Sequence, residues 1–240
     1  MSTRAGGVSS GAFASLNLGS AVGDDTQAVA ANRARFAAAL EGARPMFLRQ
    51  VHGCRVLRLP DDAVGEGAEP PEADASFTTQ PGIACVIQVA DCLPVLLAAP
   101  AGRGVAAAHA GWRGLAGGVL EATLAALCDA AGCAPAEVEA WLGPCIGPRQ
   151  FEVGADVLAG FGVAADAAEH PRFRPRGAGK WLADLPGLAR DRLSAQGVLR
   201  IGGGGWCTVE DASRFFSYRR DRLHHGNSGR MAAAIWIEPG

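Results

Sequence analysis

Three polar side chains interrupt three apolar runs. His52 sits in "RQVHGCRVLRL" (49–59), Cys92 in "VIQVADCLPVLLAA" (86–99) and His109 in "GVAAAHAGWRGLAGG" (104–118). Imidazole and thiolate are zinc ligands, and a catalytic zinc takes three protein ligands and keeps its fourth position for water or substrate. Such an ion lowers the pKa of bound water towards about 7 and polarises a substrate oxygen. The three residues lie far apart in sequence, so they make one site only if the fold gathers them. Each falls where a strand stops or meets glycine, and strand ends are where a sheet aims side chains into a common crevice. The same atoms allow a second chemistry. Cys92 and His109 could be nucleophile and base of a cysteine hydrolase, with Asp91 orienting the imidazole. Cys145, in the tight turn "LGPCIGP", is a rival nucleophile. Core histidines satisfied by backbone carbonyls, with a cysteine that only packs, are the third possibility.

Substrate contacts are expected around these residues. Arg113 follows His109 by four positions, just before a helix, and a helix N-terminus beside an arginine suits an anion. Arg219 and Arg220 stand beside aromatics in "FFSYRRD", where a purine ring could stack. Asn17 in the polar turn "NLG" and Gln50 beside His52 offer amides. "GDD" (23–25) reads first as a helix cap. No Rossmann or P-loop fingerprint is present, so a dinucleotide fold has no support.

The elements that must position these groups are short. A capped helix is expected over 24–42, strands over 46–51, 54–59, 75–79 and 83–89, and a polar Gly/Pro-rich loop over 60–74. Strands 93–99 and 104–110 follow, then one helix over 114–132, a strand over 138–143, a helix over 184–197, and strands over 198–203 and 230–237. The pattern is weak over 151–180. His52 is thus expected at the end of a buried strand. Without internal repeat or low-complexity linker, the 240 residues read as one α/β domain of mixed sheet with helices outside.

Composition narrows the class. The chain is 49% hydrophobic and 19% charged, with a net charge of −2, so no basic field exists to hold nucleic acid or an anionic membrane. No run reaches about 18 consecutive apolar residues, and no signal-peptide pattern opens the chain, so a cytoplasmic protein is expected. Seven cysteines, an odd number, read as reduced thiols.

Taken together and in order, "SLNLGSAVGDD", "RQVHG", "ADCLPVLLA", "AAAHAGWRG", "LGPCIGP", "FEVG", "FFSYRRD" and "SGRMAAAIW" resemble the YfiH/YlmD-type family, also called polyphenol oxidase or laccase-like. The resemblance runs from about Leu16 to Ile237. It implies a four-layer α/β/β/α sandwich with mixed sheets, a single domain over 1–240, and a metal centre on His52, Cys92 and His109. It also implies phosphorolysis of purine nucleosides (adenosine, inosine, guanosine, methylthioadenosine) and adenosine deamination. Copper-dependent phenol oxidation and editing of peptidoglycan precursors are further activities credited to the family.

Chemistry ranks these. A multicopper laccase needs a blue-copper site and a trinuclear cluster, hence many imidazoles. The chain has five histidines, of which His224 and His225 lie in the polar "RDRLHHGNSG". One His₂Cys site could take copper, which outcompetes zinc at such ligands, but zinc is the expected ion. A single open-site metal suits deamination or phosphorolysis, with Arg113 expected to hold phosphate, Cys92 and His109 at the centre, and Asp91 the candidate acid for the leaving purine. Nucleoside and phosphate are the expected partners, and a monomer the expected state.

Overall fold

The computed structural model describes residues 1–60, 69–166 and 170–239. Residues 61–68 of the expected polar loop, residues 167–169 and the side chain of His225 lie outside that description. Helix α1 (Thr26–Ala38) is followed by strands β1 (Arg44–Met46), β2 (Val56–Leu59), β3 (Ala75–Thr78), β4 (Ile83–Val89), β5 (Leu93–Ala98) and β6 (Val105–Ala110). Helices α2 (Trp112–Gly117) and α3 (Val119–Ala131) lead to β7 (Glu139–Leu142), β8 (Glu152–Val153) and α4 (Ala155–Gly160). Then come β9 (Phe173–Gly177), β10 (Lys180–Ala183), α5 (Leu185–Ala195), β11 (Arg200–Gly203), α6 (Tyr218–His225) and β12 (Met231–Ile235).

One sheet has the order β11-β7-β5-β6-β3-β2 and a second the order β1-β4-β12. Both are mixed: β2 runs parallel to β3 and β11 to β7, while β3, β5 and β6 pair antiparallel. The two-residue period of a strand shows how they stack. On β4, Cys85, Ile87 and Val89 meet Met46, Leu57, Leu59, Ala107 and Met231 between the two sheets. Ala84 and Val86 point the other way, against Phe36 and Leu40 of the α1 region. On β6, Ala106, Ala108 and Ala110 face α3 and α5. Helix, sheet, sheet, helix is therefore the layering. His109 is two positions beyond Ala107, so it shares the face turned to the other sheet.

Strands buried on both faces read as continuous apolar runs, and β4 and β5 appear where such runs were expected. Three expectations are corrected. First, β1 stops at Met46, and Val51 and His52 are exposed, so His52 sits in a loop rather than at a strand end. Its φ is +63°, because long-range bonds described below dictate the turn. Second, the helix expected over 114–132 is two helices, broken at Gly118 with φ +97°. Third, the weak region holds a small sheet of order β8-β10-β9 beside the main one. Among the described residues, no helix is long and apolar enough to cross a membrane.

Candidate metal centre and active site

A cavity of about 630 Å³ opens at one end of the two sheets, and His52, Cys92 and His109 line it. Their ligand-type atoms all lie within 4.8 Å of one another. Cys92 Sγ is 3.8 Å from His52 Nε2, and the two imidazoles meet edge to face, with centroids 4.8 Å apart. Each arrives from a different element: His109 from β6, Cys92 from the residue before β5, His52 from the loop between β1 and β2. Among the described residues this is the one group of three or more metal-type side chains.

Asp74 holds the arrangement together. Its carboxylate is fully buried and accepts His109 Nδ1–H at 2.8 Å. It also accepts the backbone N–H groups of Val51, His52 and Gly53 at 3.1, 2.8 and 2.7 Å. One side chain thus fixes the His109 tautomer, leaves Nε2 free for the cavity, and folds the loop that carries His52. Burial works against the charge on Asp74, but the bonds from His109, Gly53 and Val51 hold its carboxyl below the usual range. Sequence reasoning missed Asp74. The available signal was an acidic residue directly before a buried strand.

Gly111 completes the packing, since a Cβ there would lie 2.9 Å from His52 Cδ2 and 3.1 Å from Cys92 Sγ. Burial alone would raise the Cys92 thiol, yet the charges and hydrogen bonds of His109 and His52 outweigh it and bring the thiol down to about 6. Burial likewise opposes the His109 imidazolium, but Cys92 and Asp74 on either side raise it to about 9. The pair is therefore thiolate and imidazolium near neutrality. A soft thiolate and two neutral-capable imidazoles, one of them with a carboxylate behind it, fit a zinc- or copper-class ion.

The structure distributes the other expected site residues unevenly. Asp91 has φ +94° and is buried, which raises its carboxyl despite bonds from Thr208 Oγ1–H and the Arg219 amide, both at 2.6 Å. It ties the Cys92 turn to the segments around 208 and 219. Two left-handed non-glycine residues, His52 and Asp91, thus flank the centre, a concentration of strain typical of functional sites. Asp91 also borders a smaller annex of about 140 Å³ that shares Cys92 with the main cavity and is lined by Trp112, Phe151, Tyr218 and Arg219. Gln50 lines the main cavity, with its amide paired in both directions to the backbone of Gln88 at 2.8 Å. Asn17 is fully buried and bonds Gly19, Asp24 and the amide of Arg230.

Asn17 lines neither cavity, and three more expected residues also lie outside both. Arg113 is exposed, its guanidinium 4.4 Å over the Trp112 ring. Arg220 donates to Thr208 O, Val209 O, Phe215 O and Asp221, so its fork is occupied. Cys145 is fully buried, and burial with the neighbouring Cys207 pushes its thiol well up. Asp25 caps α1 through the Ala28 amide, as the helix-cap reading of "GDD" expects. Two arginines of the main cavity, Arg33 and Arg230, were not singled out in the sequence, where each resembles a solvated surface charge.

Comparison with known proteins shows the family. The family model for multi-copper polyphenol oxidoreductase laccase matches residues 1–238. A Pseudomonas aeruginosa protein named purine nucleoside phosphorylase PA4543 is 48% identical over 239 residues, covering 99% of this chain and 92% of that protein. Purine nucleoside phosphorylase YfiH of Escherichia coli K12 is also 48% identical, over 98% of this chain and 92% of its own length. Among solved structures, Neisseria meningitidis protein NMB0706 superposes with a TM-score of 0.87 at 45% identity, covering 99% of this chain and 92% of that one. YlmD from Geobacillus stearothermophilus gives 0.88 at 34%, covering 99% and 90%. The family's description names several coppers, while the described residues gather one His₂Cys group, and His170 lies apart against Phe173. On sequence and fold alike, the chain belongs to the laccase-like YfiH family.

Proposed function

We propose that this protein is a zinc-dependent purine nucleoside phosphorylase that also deaminates adenosine, with its metal on His52, Cys92 and His109. The observation that carries this reading is the convergence of those three side chains in the wall of a cavity of about 630 Å³, room enough for a nucleoside. Relatives bearing the phosphorylase name cover nearly the whole chain. When bound, the ion would supply Lewis-acid polarisation and orient a nucleophile. Asp74 keeps His109 in one tautomer, so the ligand set is organised before substrate arrives. Trp112, Phe151 and Tyr218 line the annex, and this reading assigns the purine to that aromatic wall. This reading assigns protonation of the departing base to Asp91, which is beside Cys92 and whose carboxyl is raised by burial. Copper in the same ligands would account for oxidation of phenols as a side activity.

A second reading rests on one specific observation, the Cys92 thiolate and His109 imidazolium backed by Asp74. That is a nucleophile, base and orienting acid, the equipment of a cysteine hydrolase acting on an amide such as a peptidoglycan precursor. Chelation separates the two.

The test is chromatography of adenosine incubated with purified protein, with and without phosphate. Adenine and ribose 1-phosphate formed only with phosphate, about one zinc per chain, and loss of both in His109→Ala are expected. Inosine reports the deaminase branch. Full activity in chelated, metal-free protein, or no conversion of any purine nucleoside, would overturn the reading.

A further inference from the structure

Among the described residues, the wall of the main cavity contains Arg33, Arg49 and Arg230 but no aspartate or glutamate. Arg49 is neutralised by Glu72, 2.6 Å away on an exposed rim. Arg33 and Arg230 are different. Among the described residues, neither has a carboxylate within ion-pair distance, although many other arginines of the chain do, among them Arg149, Arg172, Arg192 and Arg200. Desolvation lowers the pKa of both guanidinium groups. Arg230 feels the charges of Cys92 and Asp91 through space, but neither guanidinium has a contacting counter-charge; holding such partly desolvated charges is costly, and a cavity that keeps two of them is organised for an anion that arrives from outside.

The fold holds them deliberately around one turn. Arg33 Nε donates to Leu18 O at 2.9 Å and Nη2 to Ser20 Oγ at 3.3 Å. On the other side of the turn, the Arg230 amide donates to Asn17 Oδ1 at 2.8 Å, and its carbonyl accepts the Leu18 amide at 3.0 Å. Gly19 lets the Arg230 stem pass, because a Cβ there would fall 2.7 Å from Arg230 Cγ. Arg230 uses only Nη1, on the carbonyls of Ser228 and Gly229. Arg33 Nη1 and Arg230 Nε and Nη2 have no acceptor among the described residues. The buried Asn17 thus acts as a positioning residue for this pair.

We propose that Arg33 and Arg230 form an oxyanion subsite within the cavity, next to the His52–Cys92–His109 centre, and that its occupant is the phosphate co-substrate. The oxyanion character follows from the two unpaired, desolvated forks, which bind oxygen anions in bidentate fashion. The choice of phosphate over an organic carboxylate rests on the phosphorylase reading above. Arg113, outside the cavity, does not perform this task.

Calorimetric titration of the purified, metal-containing protein with inorganic phosphate, and separately with acetate, tests the site without turnover. Arg33→Gln and Arg230→Gln should each weaken phosphate binding roughly tenfold or more. Gly19→Ala, which displaces Arg230 without removing charge, should weaken it too, and Arg230→Lys should weaken it less than Arg230→Gln. In turnover, the KM for phosphate should rise while the KM for nucleoside changes little, with metal content as in the wild type. Acetate binding with the same arginine dependence, in place of phosphate, would keep the subsite and assign it to a substrate carboxylate. Phosphate binding without nucleoside cleavage would sink the phosphorylase reading and leave the subsite standing. Phosphorolysis with an unaltered phosphate KM in both glutamine variants, or a wild type that binds neither anion, would overturn the subsite.

Discussion

Asp74 Oδ1 accepts His109 Nδ1–H at 2.8 Å, and the same carboxylate gathers three consecutive amides of the loop bearing His52. One buried acid therefore positions two of the three ligand-type residues, although it points at neither the cavity nor a substrate. Asp74→Asn keeps the size and the ability to accept one bond but loses the charge that supports the imidazole. Metal affinity is expected to fall about 10–100-fold, read by competition with a chromophoric chelator. Affinity equal to wild type would mean that the Asp74 carboxylate contributes nothing to the centre.

Gly111 opens α2 where the chain passes closest to the ligands. Gly111→Ala places a methyl 2.9 Å from the His52 ring and 3.1 Å from Cys92 Sγ, so one of them must shift. Overpacking of this kind costs about 1–3 kcal/mol, and here it falls on the ligand geometry. Metal content after dialysis should drop in Gly111→Ala. Gly205→Ala is the matched control, because its Cβ would meet nothing within 4 Å and its φ is not left-handed. That variant should stay within about 0.5 kcal/mol of wild type in urea unfolding.

The comparison of sequence with structure divides along physical lines. β4 begins and ends where the run "IACVIQV" does, since a strand buried on both faces is apolar nearly throughout, here with only the half-buried Gln88 excepted. His52, Cys92 and His109 stood out because each breaks such a context, and the fold does gather them. The residues that support them did not stand out. Asp74 gains its meaning from a partner 35 positions away, and an acid beside a polar loop reads as a solvated charge. The strand expected over 46–51 ends at Met46, because Arg49 bonds the segment at 71–73 and Asp74 captures the amides of 51–53, and those tertiary contacts override local β preference. The small sheet escaped notice because β9, "FRPRG", is exposed along four of its five residues and shows no alternation. Arg33 lies on a helix among other polar residues, and nothing in its spacing distinguishes a desolvated guanidinium from a wet one.

Gly118 separates α2 from α3 with φ +97°, a backbone region closed to most side chains. The sequence pattern runs through it without interruption, and only the conformation marks the break. Gly118→Ala should cost about 1–2 kcal/mol, seen as a lower urea midpoint with an unchanged slope. Gly118→Asn, which tolerates left-handed backbone better, should lose less. Equal loss in both would place the effect in side-chain crowding instead of backbone strain.

Cys92 and His109 titrate as a linked pair, and their shifts predict how the metal-free protein reacts with an alkylating agent. The thiol of Cys92 is brought down to about 6 from an ordinary value near 9, with His109 raised to about 9. A thiolate is the reacting species, so iodoacetamide should modify Cys92 readily at pH 7 and slow as the pH falls through about 6. Between pH 7 and 8 its rate should be nearly flat, whereas an unshifted thiol would still be climbing about tenfold per pH unit. Cys85, fully buried and pushed up to about 12, should stay unmodified in the folded chain. The linkage has a definite sign. The depressed Cys92 value contributes stability that is full above the ordinary thiol value near 9 and is lost as pH falls through about 6; the raised His109 value contributes stability that is full below the ordinary imidazole value near 6.5 and is lost as pH rises through about 9. Between those limits the two gradients oppose each other, so the stability of metal-free protein should change little with pH there, and zinc should protect Cys92 from alkylation. Peptide mass mapping across pH 5–9, with and without zinc, reads both effects. A Cys92 rate that climbs steadily to pH 9 in metal-free protein would show that the imidazoles do not hold the thiolate.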